Sequence, residues 1–528
     1  MPPTPARPSG PGLPRGARRF VAWPRYAAWA ALPLCLLAAF TSRPAWGADL
    51  DVLTARYEAI ASDNRPEGYQ MQRRALEAIA DLKTDAARGR LQELLLRHGP
   101  GSPMRAVQLL GALARRGGPD DIDRVIKWIE DRRDELLLAM LPVILERALE
   151  PSAGRHLRED VVRRVVPAVR AEVLRALGRR KDADAWSVLL RHLSDPVLDV
   201  RLAALEGIGD LGDLRARLPV ELLLRDEDPR IRDAAARALG ALADKTSLDA
   251  LARATEDDDR RVAESAALAL GRLEDARCIQ PLIAMLRRHE RDDLRLADAA
   301  TDALRSLSGK SIAPDADLWQ AWWDTVKDRP FVPGGVAGPA VTMEGPRYHD
   351  QPIRSSRLVF VLDVSRSMGW NRRLESAKDE LTRTLESLPP TTRFNVITFD
   401  DRAHIWRSEM VRASSGNVSS AVKFVRALRP GNGTNTHGAL SKAFHEEEVD
   451  TIYLLSDGHP SVGLVTDGEM IRLAVAGWNR HRRVRIHTMA LMRGDPPPAF
   501  AGREDPPRAI AFLEALAIEN GGTFTNLP

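Results

Sequence analysis

The sequence predicts a multidomain chain in which an all-α solenoid of stacked helix pairs is followed, across a linker, by a doubly wound α/β domain. Two observations carry this expectation. Val169, Val200, Ile231 and Val262 recur every 31 residues, and each is followed nine residues later by a glycine: Gly178, Gly209, Gly240 and Gly271. A fixed period of about 20–50 residues marks a repeat architecture. Beyond about residue 350 the helical spacing gives way to short apolar runs alternating with helical stretches, the pattern of a parallel sheet with crossover helices. With 528 residues, 44% of them hydrophobic, the chain has room for several folded units.

The first element is a leader. Residues 1–47 hold Arg7, Arg15, Arg18, Arg19, Arg25 and Arg43 and no acid, and run apolar from Ala27 to Phe40. A charged segment before a short apolar run is how a secretory signal is built. The run is short of the ~20 residues that span a bilayer. Ala45 and Gly47 supply small residues for cleavage after Gly47, so export to the periplasm or beyond is expected, with no membrane span in the mature chain. An uncleaved signal anchor is the alternative. The leader also explains the charge: 77 Lys+Arg against 73 Asp+Glu give +4 and a pI of 9.2, and removing the six arginines takes +4 to −2. A nearly neutral mature chain offers no field for nucleic acid. Two cysteines, Cys35 and Cys278, are too few for a zinc knuckle or a disulfide framework.

The solenoid is expected over 50–327. In each unit one helix, such as Ile231–Gly240, carries an apolar stripe, with the glycine placed near its end, where positive φ comes most easily to glycine. A second helix follows, as over Ser247–Ala254 or Cys278–Leu286. Asp195-Pro196 and Asp228-Pro229 punctuate the junctions, because proline cannot continue a helix and suits the start of one. A lone pair cannot bury its apolar face, so the units must stack. This segment resembles the HEAT-like helical repeats, chiefly through the Asp-Pro turn followed by Val200-Arg201 or Ile231-Arg232. Trp319, Trp322 and Trp323 are expected to cap the last unit, and residues 328–350, rich in proline and glycine, to form a linker.

The α/β domain is expected over 351–528. Arg357–Leu362 is the continuous apolar run of a buried parallel strand, and further strands are expected at Phe394–Phe399, Thr451–Leu455 and Arg485–Leu491. In such a sheet the loops leaving the strand carboxyl ends converge on one crevice. Three of them carry hard oxygen donors: Asp363-Val364-Ser365-Arg366-Ser367, Gly431-Asn432-Gly433-Thr434-Asn435-Thr436, and Ser456-Asp457-Gly458. Asp and Ser at strand ends are also ordinary helix caps; what favours a metal is the resemblance of the three loops together, in this order, to the site of a known family.

The constellation resembles the metal-ion-dependent adhesion site of von Willebrand factor A domains. The resemblance implies Ser365, Ser367 and Thr434 as hydroxyl ligands of a divalent cation, with Asp363 and Asp457 ligating directly or through water. An all-oxygen donor set favours Mg²⁺ or Mn²⁺ over zinc. It also implies an open position that accepts an acidic side chain from a partner protein. Thr436 could instead cap the next helix, Arg366 is expected in solvent, and His437 and His459 are expected as solvent-exposed loop residues. The chain has neither a phosphate-binding G-x-x-x-x-G-K-[ST] loop nor a G-x-S-x-G nucleophile elbow, so it reads as a non-enzymatic interaction protein. The rival reading is a Mg²⁺-dependent hydrolase using one of those histidines as base. Pigment-lyase chemistry by the repeats is a third, with only Cys278 to support it.

Overall fold

The computed structural model describes residues 49–62, 66–291, 293–334, 346–349, 351–492 and 506–527; the expected leader lies outside them. Helix pairs run from Leu50–Ile60 to Ala316–Val326, and no described helix is long and apolar enough to cross a membrane. The long helices Pro167–Arg179, Leu198–Leu211, Pro229–Leu242, Arg260–Arg272 and Leu294–Ser308 stack side by side. Their buried stripe includes Val169, Val200, Ile231 and Val262, the residues that set the 31-residue period.

The four repeat glycines act differently from expectation. Each lies inside its helix with ordinary helical φ. At Gly178 a Cβ would meet the Gly207 carbonyl oxygen at 2.4 Å, and at Gly240 it would meet the Ala269 Cβ at 2.8 Å. Gly178, Gly240 and, at 3.0 Å from Ala303, Gly271 are small so that adjacent helices can approach, since an added methyl in a packed contact costs strain; at Gly209 a Cβ would meet nothing nearer than 3.4 Å. The left-handed positions fall three residues later, at Lys181, Gly212, Ala243 and Glu274, again at 31-residue steps. An aspartate follows each of them: Asp182, Asp213, Asp244 and Asp275 accept the N–H of the residue two places on, opening the next helix. Asp228 caps its helix with Pro229 at the first position. Asp195-Pro196 is not its equivalent, because that helix starts only at Leu198. At the far end Ala316–Val326 packs on Ile279–His289 and buries Trp319, whose ring meets Trp322 edge-on at 5.6 Å.

The sheet domain begins inside the stretch expected to be linker, with a short antiparallel hairpin of β1 (Arg347–Tyr348) and β2 (Gln351–Pro352). Tyr348 is fully buried against Phe360 and Tyr453, so the hairpin is held by its side chain in the core. The main sheet contains β3 (Arg357–Asp363), β4 (Arg393–Phe399), β5 (Ala403–Ile405), β6 (Val411–Arg412), β7 (Thr451–Ser456), β8 (Arg485–Leu491) and β9 (Phe524–Leu527). Its order is β5-β4-β3-β7-β8-β9, with β6 also on β4; β5 and β6 run antiparallel and the other pairs are parallel. From β3 the chain winds first to β4 and then back past β3 to β7, so the direction of winding switches at the ends of β3, where ligands bind in open α/β sheets.

Solenoid and sheet lie within one compact unit, Leu50–Pro528, and an ionic seam joins them. Arg480 holds Glu172 at 2.8 Å and Arg485 holds Glu264 at 3.1 Å. Arg354 pairs with Asp298. Arg295, from the last long helix, donates to the Asp450 carbonyl at 3.0 Å and to the Arg483 carbonyl. Burial opposes the charge on Glu264, but Arg295, Arg485 and Arg483 outweigh it and hold the carboxyl down at about 2.

Candidate metal centre

Asp363 is the last residue of β3 and fully buried. Its Oδ1 accepts the Ser365 N–H at 2.7 Å and its Oδ2 accepts the Ser456 hydroxyl at 2.5 Å, which ties the end of β3 to the end of β7. One turn on, the Ser365 and Ser367 hydroxyls lie 3.1 Å apart, and Ser367 donates to Asp457 Oδ1 at 2.7 Å. Asp457, directly after β7, is 1% exposed. The other Asp457 oxygen accepts from Arg373 Nη1 at 2.9 Å, a pair in which neither side chain is more than 1% exposed.

The second loop, 431–436, is fixed by its backbone. Gly433 takes φ +73°, a conformation that costs other residues strain. Gly431 N–H reaches the Val364 carbonyl at 2.6 Å, and Thr434 exchanges two 3.0 Å bonds with Ser461. Thr434 is thereby buried beside the crevice. A Cβ placed on Gly458 would stand 3.9 Å from the Thr434 hydroxyl and 4.0 Å from the Ser367 hydroxyl, so the two hydroxyls flank one small open space. The structure therefore brings all five expected residues, Asp363, Ser365, Ser367, Thr434 and Asp457, around one crevice.

Electrostatics fit a cation there. Burial, and then the charge of Asp457, push the Asp363 carboxyl well above the ordinary carboxylate range against the hydrogen bonds from Ser456 and Ser365. Arg373 pairs with Asp457, and the two buried carboxylates raise each other's cost of ionisation in a site walled by hydroxyl oxygens, a cost that a bound cation would relieve. Hard divalent cations take such donors. Among the described residues no group of three or more His, Cys, Asp or Glu is placed to hold a metal; a centre here depends on the hydroxyls.

Residues 358–469 match the family described as the von Willebrand factor type A domain, and residues 161–219 and 216–305 match HEAT repeats. The chain carries HEAT repeats followed by a von Willebrand factor type A domain. Among its relatives, the Homo sapiens von Willebrand factor A domain-containing protein 3B is 29% identical over 173 residues, covering 33% of this chain and 12% of that protein. The Homo sapiens inter-alpha-trypsin inhibitor heavy chain H4 is 32% identical over 180 residues, covering 31% of this chain and 17% of that protein. The chain thus spans only a small part of these relatives' length. A solved von Willebrand factor type A structure from Catenulispora acidiphila is similar at 17% identity and a TM-score of 0.26, covering 33% of this chain and 39% of that one.

Arg366 is exposed, as expected, and its guanidinium donates to Asn432 Oδ1 at 2.5 Å, bridging the first and second loops. Other neighbours of the site in the type A domain depart from expectation. Asn435, not Thr436, caps the next helix by accepting the Gly438 N–H at 2.9 Å; Thr436 is buried in the first turn. His437 is no exposed loop residue. It is 8% exposed, its ring meets Trp478 edge-on at 5.2 Å, and burial lowers its pKa. His459 is half-buried, with Nδ1 3.0 Å from the Pro460 carbonyl. Arg373 and Ser456 are the residues that sequence reasoning missed. Ser456 stood inside the Ser-Asp-Gly signature, whereas Arg373 gave no local signal, because its partner lies 84 positions away.

Proposed function

We propose that this chain is an exported, non-enzymatic interaction scaffold whose type A domain binds a partner protein through a divalent cation. Ser365, Ser367 and Thr434 would hold Mg²⁺ or Mn²⁺ by their hydroxyls, with Asp363 and Asp457 ligating directly or through water. The bound ion would supply an electrophilic position for an acidic side chain of the partner. The chain's own groups prepare that position. Ser456 orients Asp363, Arg373 occupies one Asp457 oxygen and leaves the other turned toward Ser365 and Ser367, and Gly458 keeps the approach open. The functional units in this reading are a signal over 1–47, cleaved after Gly47 to deliver the protein to the periplasm or outside, a solenoid over 50–327 as a second binding face, a linker from 328 that ends before the hairpin at Arg347, and the adhesion domain that this hairpin opens.

The observation that supports this most is the 2.7 Å hydrogen bond from Ser367 to Asp457 Oδ1, with Ser365 3.1 Å from Ser367, because it brings the first and third loops to one point. The test is retention of partner proteins by the immobilised full chain. Retention should require Mg²⁺ or Mn²⁺, be lost in EDTA, and be lost in Asp363→Ala with metal present. Equal retention with and without chelator would overturn the reading.

A further inference from the structure

A cavity of about 400 Å³ lies where the inner face of the solenoid meets the sheet domain, well away from the crevice loops in sequence. Six arginines line it: Arg175, Arg179, Arg237 and Arg272 from the repeats, and Arg480 and Arg483 from the end of the helix Gly468–Asn479 and the turn beyond. Only two acids, Glu206 and Asp210, line it with them.

Half of these cations are spoken for. Arg175 hydrogen-bonds Glu206 at 2.6 Å and Glu172 at 2.9 Å, Arg480 hydrogen-bonds Glu172, and Arg483 donates to Ser265 at 2.8 Å. The other half are held more loosely, by longer ion pairs or by none among the described residues. Arg237 has Nε and Nη2 both buried without a hydrogen-bond partner. Its nearest carboxylate oxygens, on Asp233 and Glu206, stand at 3.3 and 3.9 Å. Arg179 comes no nearer than 3.5 Å to Glu146. Arg272 is exposed at the rim and engages no acid among the described residues. The positive field is felt by His481, which burial and the surrounding Arg175, Arg237 and Arg480 hold down at about 4 despite Glu206.

A buried guanidinium N–H left unpaired carries a desolvation penalty that an anion would relieve, and charge-assisted bonds to oxyanions are the strongest available to it. Guanidinium forks match the geometry of carboxylate and phosphate. The remaining wall is apolar, through Met140, Val143, Leu473 and Ala476, and the volume falls in the range of small-molecule sites.

We propose that this cavity binds a small organic oxyanion, a phosphate or carboxylate carried on an apolar body, with Arg237 and Arg272 as its principal contacts. Such a ligand would bridge the repeats and the type A domain. It would therefore stabilise their docking, independently of any metal in the crevice.

Thermal unfolding of the full chain, in EDTA so that anions held by a crevice metal do not contribute, tests this. The probes are phenyl phosphate, benzoate and inorganic phosphate, each against chloride at matched ionic strength. Phenyl phosphate or benzoate should raise Tm saturably, whichever does so identifying the head group, and inorganic phosphate should be weaker for want of the apolar contact. Arg237→Gln and the surface change Arg272→Gln should each weaken the effect about tenfold. Arg277→Gln, on an exposed turn, should leave it unchanged. No saturable shift above chloride with any probe, or an undiminished shift in Arg272→Gln, would overturn the proposal. Neither result bears on metal-dependent partner binding, whose readout is separate.

Discussion

At the turns of the solenoid, Asp213, Asp228, Asp259 and Asp275 each grip the arginine two residues on, and those arginines are 37–67% exposed. On the inner face, Glu172, Glu264 and Asp298 grip Arg480, Arg485 and Arg354 of the type A domain, and none of these acids is more than 8% exposed. The residue types are the same; distance along the chain and access to water differ. The turn pairs repeat with the units and cap helices in place. Ion pairs this exposed contribute little, about 0–1 kcal/mol. The seam pairs join segments up to 308 positions apart, and their desolvated charges are shared in a buried network with Arg175 and Arg295 of the repeats, so they set how the two domains dock.

Substitutions on either side can break this contrast. Glu264→Gln should have the largest effect, because it leaves Arg295 buried without its counter-charge and Arg485 with only Asp298, 3.9 Å away, and losing one partner of a buried pair costs about 3–5 kcal/mol. Chemical unfolding should also split, with the type A domain and the repeats melting separately. His481 sharpens the contrast through pH. Its folded pKa lies at about 4, below the ordinary 6.5, so its contribution is fully present above pH 6.5 and is lost as pH falls toward 4, by up to about 3 kcal/mol. The difference in stability between wild type and His481→Gln, measured from pH 7 to 4, should carry that slope. Gly178→Ala should cost about 1–3 kcal/mol, since its Cβ would collide with the Gly207 backbone. Arg230→Gln, at an exposed turn, should change the midpoint by less than about 1 kcal/mol; a loss as large as that of Glu264→Gln would erase the distinction.

The same division governs what the sequence discloses. The 31-residue period betrays the stacked helices, because every unit repeats the same local contacts. It misleads about Gly240, whose smallness serves the neighbouring helix and not its own end. The aspartates at 182, 213, 244 and 275 carry the true turn signal and sit in plain view at the same step. In the sheet, the buried strands β3, β4, β7 and β8 are apolar enough to read directly. The edge strands β5, β6 and β9 are two to four residues long and partly exposed, so their existence depends on a neighbour's free backbone. The hairpin at Arg347–Pro352 is hidden for a related reason: only the tertiary burial of Tyr348 distinguishes it from linker. At the crevice, the five candidate ligands lie in three compact loops and are legible, while Arg373 and the burial of His437 depend on partners far away in sequence.

The account turns on whether the crevice takes a cation. Calorimetric titration of Mg²⁺ into the full chain, stripped of metal with chelator, measures this directly. We expect saturable one-to-one binding and a matching rise in Tm for the wild-type chain, both abolished in Asp457→Ala and both retained in Arg277→Gln. Absence of Mg²⁺ and Mn²⁺ binding in the wild type, or binding that survives Asp457→Ala unchanged, would contradict it.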